Sequence, residues 1–352
     1  MKWKGWDHVP LDIPVPGGDT GRVTVDAIAP LIISASRSTD IPAFYSNWFM
    51  ERLRQGYVRW KSPFGGKPGY VSFAKARVFV FWSKNPAPFF PVLDMLDRAG
   101  YGYYFLFTLN DYDAEGIEPN VPSADERIRT FIRLSRRIGK GRVVWRSDPL
   151  VLSDRVSVGD LLEKVRSVGD RIAPFTERLV FSFVDIGKYA KVRRNLQAGG
   201  FDGLREFTED EVLEFCEGLA TLNKCWGLSV SACAERRDLT TFGIGPGQCI
   251  SYELLSKEFG DDAELREFLH PGGQQHVLTG NGDVPDLSLR LRDPGQRNTC
   301  RCIVSKDIGQ YSTCMHLCAY CYANTSPTTA CRNYSRYIVD QDRGIFHDSI
   351  TE

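Results

Sequence analysis

The stretch "VFVFWSKNPAPFFPVLDMLDRAGYGYYFLFTL", residues 78–109, decides the fold class. It holds two apolar and aromatic runs, 78–83 and 101–109, joined by an amphipathic segment that ends at Gly100. An apolar run without alternation predicts a strand covered on both faces, and such strands belong to parallel sheets whose crossovers are helices. The stretch therefore reads as strand, helix, strand.

The same unit recurs on either side. "LIISAS" (31–36) precedes "IPAFYSNWFMERLRQG" (41–56), where Phe44, Trp48 and Leu53 fall near helical spacing and Gly56 is a stop. Downstream, "ADERIRTFIRLSRRIG" (124–139) leads to "RVVWRSDPL" (142–150), "VGDLLEKVRSVGDRI" (158–172) to "RLVFSFVDIG" (178–187), and "TEDEVLEFCEGLATLNK" (208–224) to "WGLSVSACAE" (226–235). Six such units suit an open doubly wound sheet or a partial barrel. Nearly every strand ends in polar residues, and in an α/β barrel the carboxyl ends of the strands meet at one mouth. The expected fold is therefore α/β, a partial (β/α)6, TIM-like barrel.

The polar strand ends supply the candidate site. They are Ser36, Arg37, Thr39 and Asp40, Lys84 and Asn85, Thr108 and Asn110, Arg146 and Asp148, Ser182 and Asp185, and Ser231, Cys233 and Glu235. Any strand turns polar where it meets solvent, so the weight lies in the recurrence. Arg37, Lys84 and Arg146 are expected to hold carboxylate or phosphate. Asp40, Asp148, Asp185 and Glu235 are expected to orient hydroxyls, ribose or an amine, with Asn110, Asp185 and Ser231 as cofactor contacts. Trp82 and Trp145 stand beside two of these clusters, as a pocket for a planar ligand requires.

Composition bounds the rest. A chain of 352 residues, 42% hydrophobic, can bury a large core. Lys plus Arg and Asp plus Glu both number 44, which gives no global field for a polyanion and leaves nucleic acid only a local basic groove. The start has no signal-peptide run, and no stretch approaches the roughly 20 apolar residues of a membrane span, so a cytoplasmic, non-membrane protein is expected. In that reducing compartment ten cysteines read as metal binding or catalysis rather than disulfides. The chain divides into an N-terminal extension (1–28), the barrel (29–250), a helical and loop linker (251–298), a cysteine-rich segment (299–335) and a tail (336–352).

Six of the ten cysteines fall between Cys300 and Cys331. In "TCMHLCAYCYAN" (313–324), Cys314, Cys318 and Cys321 form C-x3-C-x2-C, a thiolate trio able to grip three corners of a cubane iron–sulfur cluster and leave the fourth iron open. Structural zinc is the competing reading, although it favours C-x2-C pairs with all four positions filled. Cys300 and Cys302, with Cys233 at the sixth strand end and Cys249 in "GIGPGQC" (243–249), could form a second, closed four-cysteine site for iron–sulfur or zinc. His316 reads as a supporting or surface group. Cys216 and Cys225 read as small hydrophobes, and Cys331 as free or as a substitute ligand.

The C-x3-C-x2-C spacing, with Tyr320 before the third cysteine, resembles the signature of the radical S-adenosylmethionine enzymes. The resemblance implies that Cys314, Cys318 and Cys321 ligate a [4Fe-4S] cluster and that its open iron chelates S-adenosylmethionine. It further implies that Tyr320 lies near the adenine, and that reductive cleavage yields a 5′-deoxyadenosyl radical. That superfamily's partial (β/α)6 barrel agrees with the unit count, but its motif usually follows the first strand, whereas here it follows all six. A C-terminal loop folded over the mouth would restore the arrangement.

The blocks "IISASRSTDIPAFYSNWFMERL", "VFWSKNPAP", "YYFLFTLNDYDAEGIEPNVP", "VVWRSDPLVL", "SACAERRDLTTFGIGPGQCI" and "CRCIVSKDIGQYSTCMHLCAYCYAN" together resemble the bacterial and archaeal family called domain of unknown function 1848, from about residue 30 to 325. Members are often labelled distant relatives of radical-type DNA repair photolyases. The expectation is a radical enzyme acting on a small molecule or peptide, fed by an electron donor such as flavodoxin or ferredoxin. A DNA lesion repair enzyme and a non-catalytic electron-transfer or redox-sensing protein are the alternatives.

Overall fold

The computed structural model describes residues 4–15, 21–62, 65, 67–201, 203–271 and 290–351. Parts of the expected N-terminal extension (1–3 and 16–20) and of the expected linker (272–289) lie outside the described residues. The strands are β1 (Asp7–Pro14), β2 (Arg22–Ala29), β3 (Ile32–Ser34), β4 (Tyr57–Trp60), β5 (Gly69–Ser72), β6 (Val78–Ser83), β7 (Gly102–Thr108), β8 (Val143–Leu150), β9 (Leu152–Ser153), β10 (Arg178–Phe183), β11 (Leu204–Arg205), β12 (Ser229–Ala232), β13 (Ile244–Pro246) and β14 (Lys306–Asp307). The helices are α1 (Ile41–Phe44), α2 (Ser46–Gln55), α3 (Phe90–Arg98), α4 (Ala124–Ile138), α5 (Val158–Ile172), α6 (Ala190–Ala198), α7 (Glu209–Trp226), α8 (Tyr252–Phe259), α9 (Ala263–Leu269) and α10 (Pro327–Asp342).

The chain is α/β, built on one eight-stranded sheet in the order β13-β12-β10-β8-β7-β6-β3-β14, with every neighbouring pair parallel. All six expected strands are present and lie side by side in chain order. The sheet is open, with β13 and β14 as its edges, both too short to be read from periodicity. A separate four-stranded sheet, β1-β2-β5-β4, is formed partly by the segment expected only as an extension.

Strand order without reversal sends each right-handed crossover to the same face. The side chains agree. Phe79, Phe81, Phe105, Phe107, Trp145 and Phe181 share a core with Phe49 of α2, Leu93 of α3, Phe131 of α4, Leu161 of α5 and Phe215 of α7. The alternate residues Val80, Leu106, Val144 and Val180 pack with Leu254, Leu255, Phe259 and Leu265 of α8 and α9. Both faces are thus covered, which is why the strands carry no polar alternation. Capping boxes at Ser123 and Glu126, Ser157 and Asp160, and Thr208 and Glu211 start α4, α5 and α7.

β14 positions the three-cysteine loop. It pairs with β3 in parallel, Lys306 opposite Ile33 and Asp307 opposite Ser34, so the loop leaves the sheet from the same end as the loops after the other strands. The Asp307 carboxylate accepts hydrogen bonds from the Arg37 backbone N–H at 2.8 Å and the Gly309 N–H at 2.9 Å. A Cβ at Gly309 would stand 1.8 Å from Ser36 Oγ and 2.4 Å from its Cβ, so only glycine lets the two chains pass. Among the described residues no helix is long and apolar enough to cross a membrane.

Candidate functional site

At the carboxyl edge of the sheet lies a cavity of about 330 Å³, within the range of small-molecule sites. All seven cysteines singled out in the sequence line it: Cys314, Cys318 and Cys321 from the loop after β14, Cys233 after β12, Cys249 after β13, and Cys300 and Cys302. Arg37, Asp40, Lys84, Arg146, Asp148, Asp185 and Tyr320 line it as well. Four expected residues do not, Asn85, Asn110, Ser231 and Glu235. Asn110 is buried, its amide donating to Glu118 Oε1 at 3.3 Å and the Asp148 carbonyl at 3.1 Å. Glu235 turns back on its own loop, accepting from the Arg236 and Arg237 backbone N–H groups and pairing with the Arg237 guanidinium at 3.0 Å. Ser231 is not among the lining residues. Of the two tryptophans, Trp82 lines the cavity, whereas Trp145 is buried on the helix side and donates to the Leu109 carbonyl at 3.0 Å.

The three-cysteine loop is held from every side. Tyr45 OH donates to the Thr313 carbonyl at 2.6 Å, Asn120 Nδ2 to the Met315 carbonyl at 2.8 Å, and Asn324 Nδ2 to the Cys314 carbonyl at 2.8 Å. Leu317 takes a left-handed φ of 54° between the first two cysteines, a conformation that costs a non-glycine residue about 1–2 kcal/mol and that these anchors sustain. His316 is neither ligand nor surface group. Its ring is buried, with Nε2 2.8 Å from Asp40 Oδ2 and Nδ1 3.1 Å from the Asn120 carbonyl. Asp40 also caps α1 through the Ala43 N–H at 2.9 Å and accepts from the Lys84 N–H at 2.7 Å. Its carboxylate is thus committed to tying the loop to β3 and β6.

Glu118 and Arg127, which the strand pattern does not reveal, are buried behind the lining residues Lys84 and Tyr320. Lys84 Nζ donates to Glu118 Oε1 at 2.7 Å and to Tyr320 OH at 3.0 Å, Tyr320 OH donates to the same carboxylate, and Arg127 Nη1 stands 3.8 Å from Glu118 Oε2. Burial alone would raise the Glu118 carboxyl, but Lys84 and Arg127 hold it below its ordinary value. Burial would likewise depress the Lys84 ammonium, and Glu118 raises it instead. Burial pushes the Cys314 thiol up to about 12 and Cys318 well above its usual range, so without a cation both are neutral thiols.

Across the cavity the other four thiols form a second group. Cys233 Sγ lies 3.7 Å from Cys249 Sγ, and Cys302 Sγ accepts from the Cys249 and Ile250 N–H groups at 3.2 and 3.4 Å. Cys249 follows Gly247, where a Cβ would stand 2.8 Å from the Ala232 carbonyl oxygen, so glycine lets the β13 end press against β12. Arg146 Nη1 donates to Cys249 Sγ at 2.5 Å while Nη2 pairs with Asp148, and Ser182 Oγ donates to Asp148 as well. The Arg37 guanidinium lies 5.1 Å over the Trp82 ring and reaches Ser305 Oγ at 3.4 Å.

The donor set is soft sulfur in both groups, the donor type of iron–sulfur and zinc sites, walled by buried cations. Among the described residues no group of three or more cysteine, histidine or acidic side chains is placed to hold a metal ion.

The family model described as Domain of unknown function (DUF1848) matches residues 32–323, well over half of the chain. No curated protein and no protein of solved structure matches.

Proposed function

The chain belongs to the DUF1848 family, and from its site we propose an iron–sulfur enzyme of the radical S-adenosylmethionine type acting on a small molecule or peptide in the cytoplasm. The observation that carries the reading is that seven cysteines from separate segments line one cavity, together with the polar ends of the parallel strands. On this reading the open sheet is a partial (β/α)6 barrel with two added strands. β14, pairing with β3, brings the late cysteine motif beside the first strand.

Cys314, Cys318 and Cys321 would hold a [4Fe-4S] cluster with one corner open to S-adenosylmethionine. When bound, these groups supply a one-electron reductive cleavage that ends in a carbon radical able to abstract hydrogen. The chain's own residues do the rest. Lys84 places a positive charge against Cys318, and the Glu118 carboxylate fixes both Lys84 and the Tyr320 ring at the cavity wall. Cys233, Cys249, Cys300 and Cys302 would hold the second centre, with Arg146 donating to a ligand sulfur. Lys84 and Arg146 already have carboxylate partners, so Arg37 is the lining cation best placed to meet an anionic group of the ligand. α8 and α9 close the sheet face behind the four-thiol group and keep water out.

Anaerobic purification with iron and sulfide counted per chain tests this. About eight irons in the wild type, with about four lost in each of Cys318→Ala and Cys300→Ala, is the expected result. Loss in Cys318→Ala alone would leave one cluster, and zinc at the four-thiol group would reassign that centre. A protein without iron at Cys314, Cys318 and Cys321 would overturn the proposal.

A further inference from the structure

On the rim of the cavity α6 begins at Ala190, just after Tyr189, and "KYAKVRR" (188–194) places four cations in seven residues of a chain whose net charge is zero. Val192 and Leu196 turn inward and anchor the helix, while Lys188, Arg193 and Arg194 are exposed and Lys191 is half-buried. Lys188 stands 3.7 Å from Asp185, and Glu206 at the foot of the patch accepts from the Gly187 N–H at 2.6 Å. The side chains of Lys191, Arg193 and Arg194 have no hydrogen-bond or ion-pair partner among the described residues. Unpaired like charges on one helical turn repel one another, so the patch has no stabilising use within the fold.

The patch adjoins the cysteine loop. Tyr189, the residue before α6, lines the cavity together with Cys321. The next residue, Tyr322, is exposed and stacks on Tyr189 with ring centroids 5.6 Å apart. Arg297 lies over the Tyr189 ring, 5.3 Å from its centroid. A redox centre in the cavity therefore meets the surface at a small aromatic spot flanked by free positive charge. Electron transfer needs close approach without lasting association, and complementary charge steers such encounters while adding little to their lifetime.

We infer that the start of α6, with Lys191, Arg193 and Arg194, together with the exposed Tyr322 stacked on Tyr189, is the docking surface for an acidic one-electron carrier protein. The inference rests on the radical-enzyme reading for its purpose, since one electron must pass from the carrier to the cluster for each cleavage. The carrier is oxidised by one electron and the cluster reduced by one.

The test uses an acidic flavodoxin as probe and follows bleaching of the cluster at low and high salt. The wild-type rate should fall about tenfold or more as salt rises. Lys191→Gln/Arg193→Gln/Arg194→Gln and the corresponding glutamate variant should lose about tenfold at low salt, together with most of the salt dependence. Reduction by dithionite should be equal in all three proteins, which shows that they are folded and loaded. Equal flavodoxin rates with an unchanged salt slope would overturn the inference. If the protein carries no iron, the proposed function fails separately, and the surface is then read from salt-sensitive association of flavodoxin with the full chain. Equal association of wild type and variant, or capture of a single-stranded oligonucleotide in place of flavodoxin, would overturn it.

Discussion

At the scale of single residues the decisive group is Glu118, 3% exposed in its side chain and set between Lys84, Arg127 and Tyr320. Removing its charge leaves the buried Lys84 ammonium without its carboxylate and Arg127 with Asp113 alone, at 3.5 Å, so Glu118→Gln should cost about 3–5 kcal/mol of stability, measurable by denaturant unfolding. The cost should depend on pH. Because the folded carboxyl lies below its ordinary 4.5, its contribution is complete above that value and is lost as the pH falls through the folded one. The gap between wild type and variant should stay constant near neutrality and close in acid; a gap that persists in acid would contradict the assignment. Sequence pattern did not reveal Glu118, because it lies in an irregular segment between β7 and α4, away from any strand end. His316 and Asp40 illustrate the converse. Both were visible by position, yet the contact between them joins residues 276 apart in the chain, and it makes the cavity-lining Asp40 a clasp for the cysteine loop as well.

Among elements, the long strands were legible because each is apolar throughout, and the helices because their apolar faces recur with the helical period. β14 was not, since two residues carry no period, although the cysteine loop is placed by it. Its dependence on Gly309 is testable. Gly309→Ala should force β14 away from β3 and cost about 1–3 kcal/mol, with a lower iron content after reconstitution. Adding Ser36→Gly and Ser38→Ala, which together remove the three clashing atoms, should restore most of the stability. No rescue would mean that Gly309 matters for another reason. α8 and α9 read as short helices in the sequence, but their packing on the second face of the sheet follows from the topology, which leaves that face without crossover helices.

For the whole molecule, the position of the cysteine motif near the chain's end is resolved by topology rather than by sequence order. A late strand added beside the first one delivers the motif to the edge where the other strand-end residues already gather. The spacing C-x3-C-x2-C carried the chemistry; convergence with Cys233, Cys249, Cys300 and Cys302 required the fold, since those four come from three segments. The central claim is that the three-cysteine end holds a cluster whose open corner faces the cavity. Its most direct measurement is the formation of 5′-deoxyadenosine from S-adenosylmethionine by the anaerobically reconstituted, reduced protein. We predict formation by the wild type and none by Cys318→Ala. An iron-loaded, reducible wild type that yields no 5′-deoxyadenosine would contradict the account.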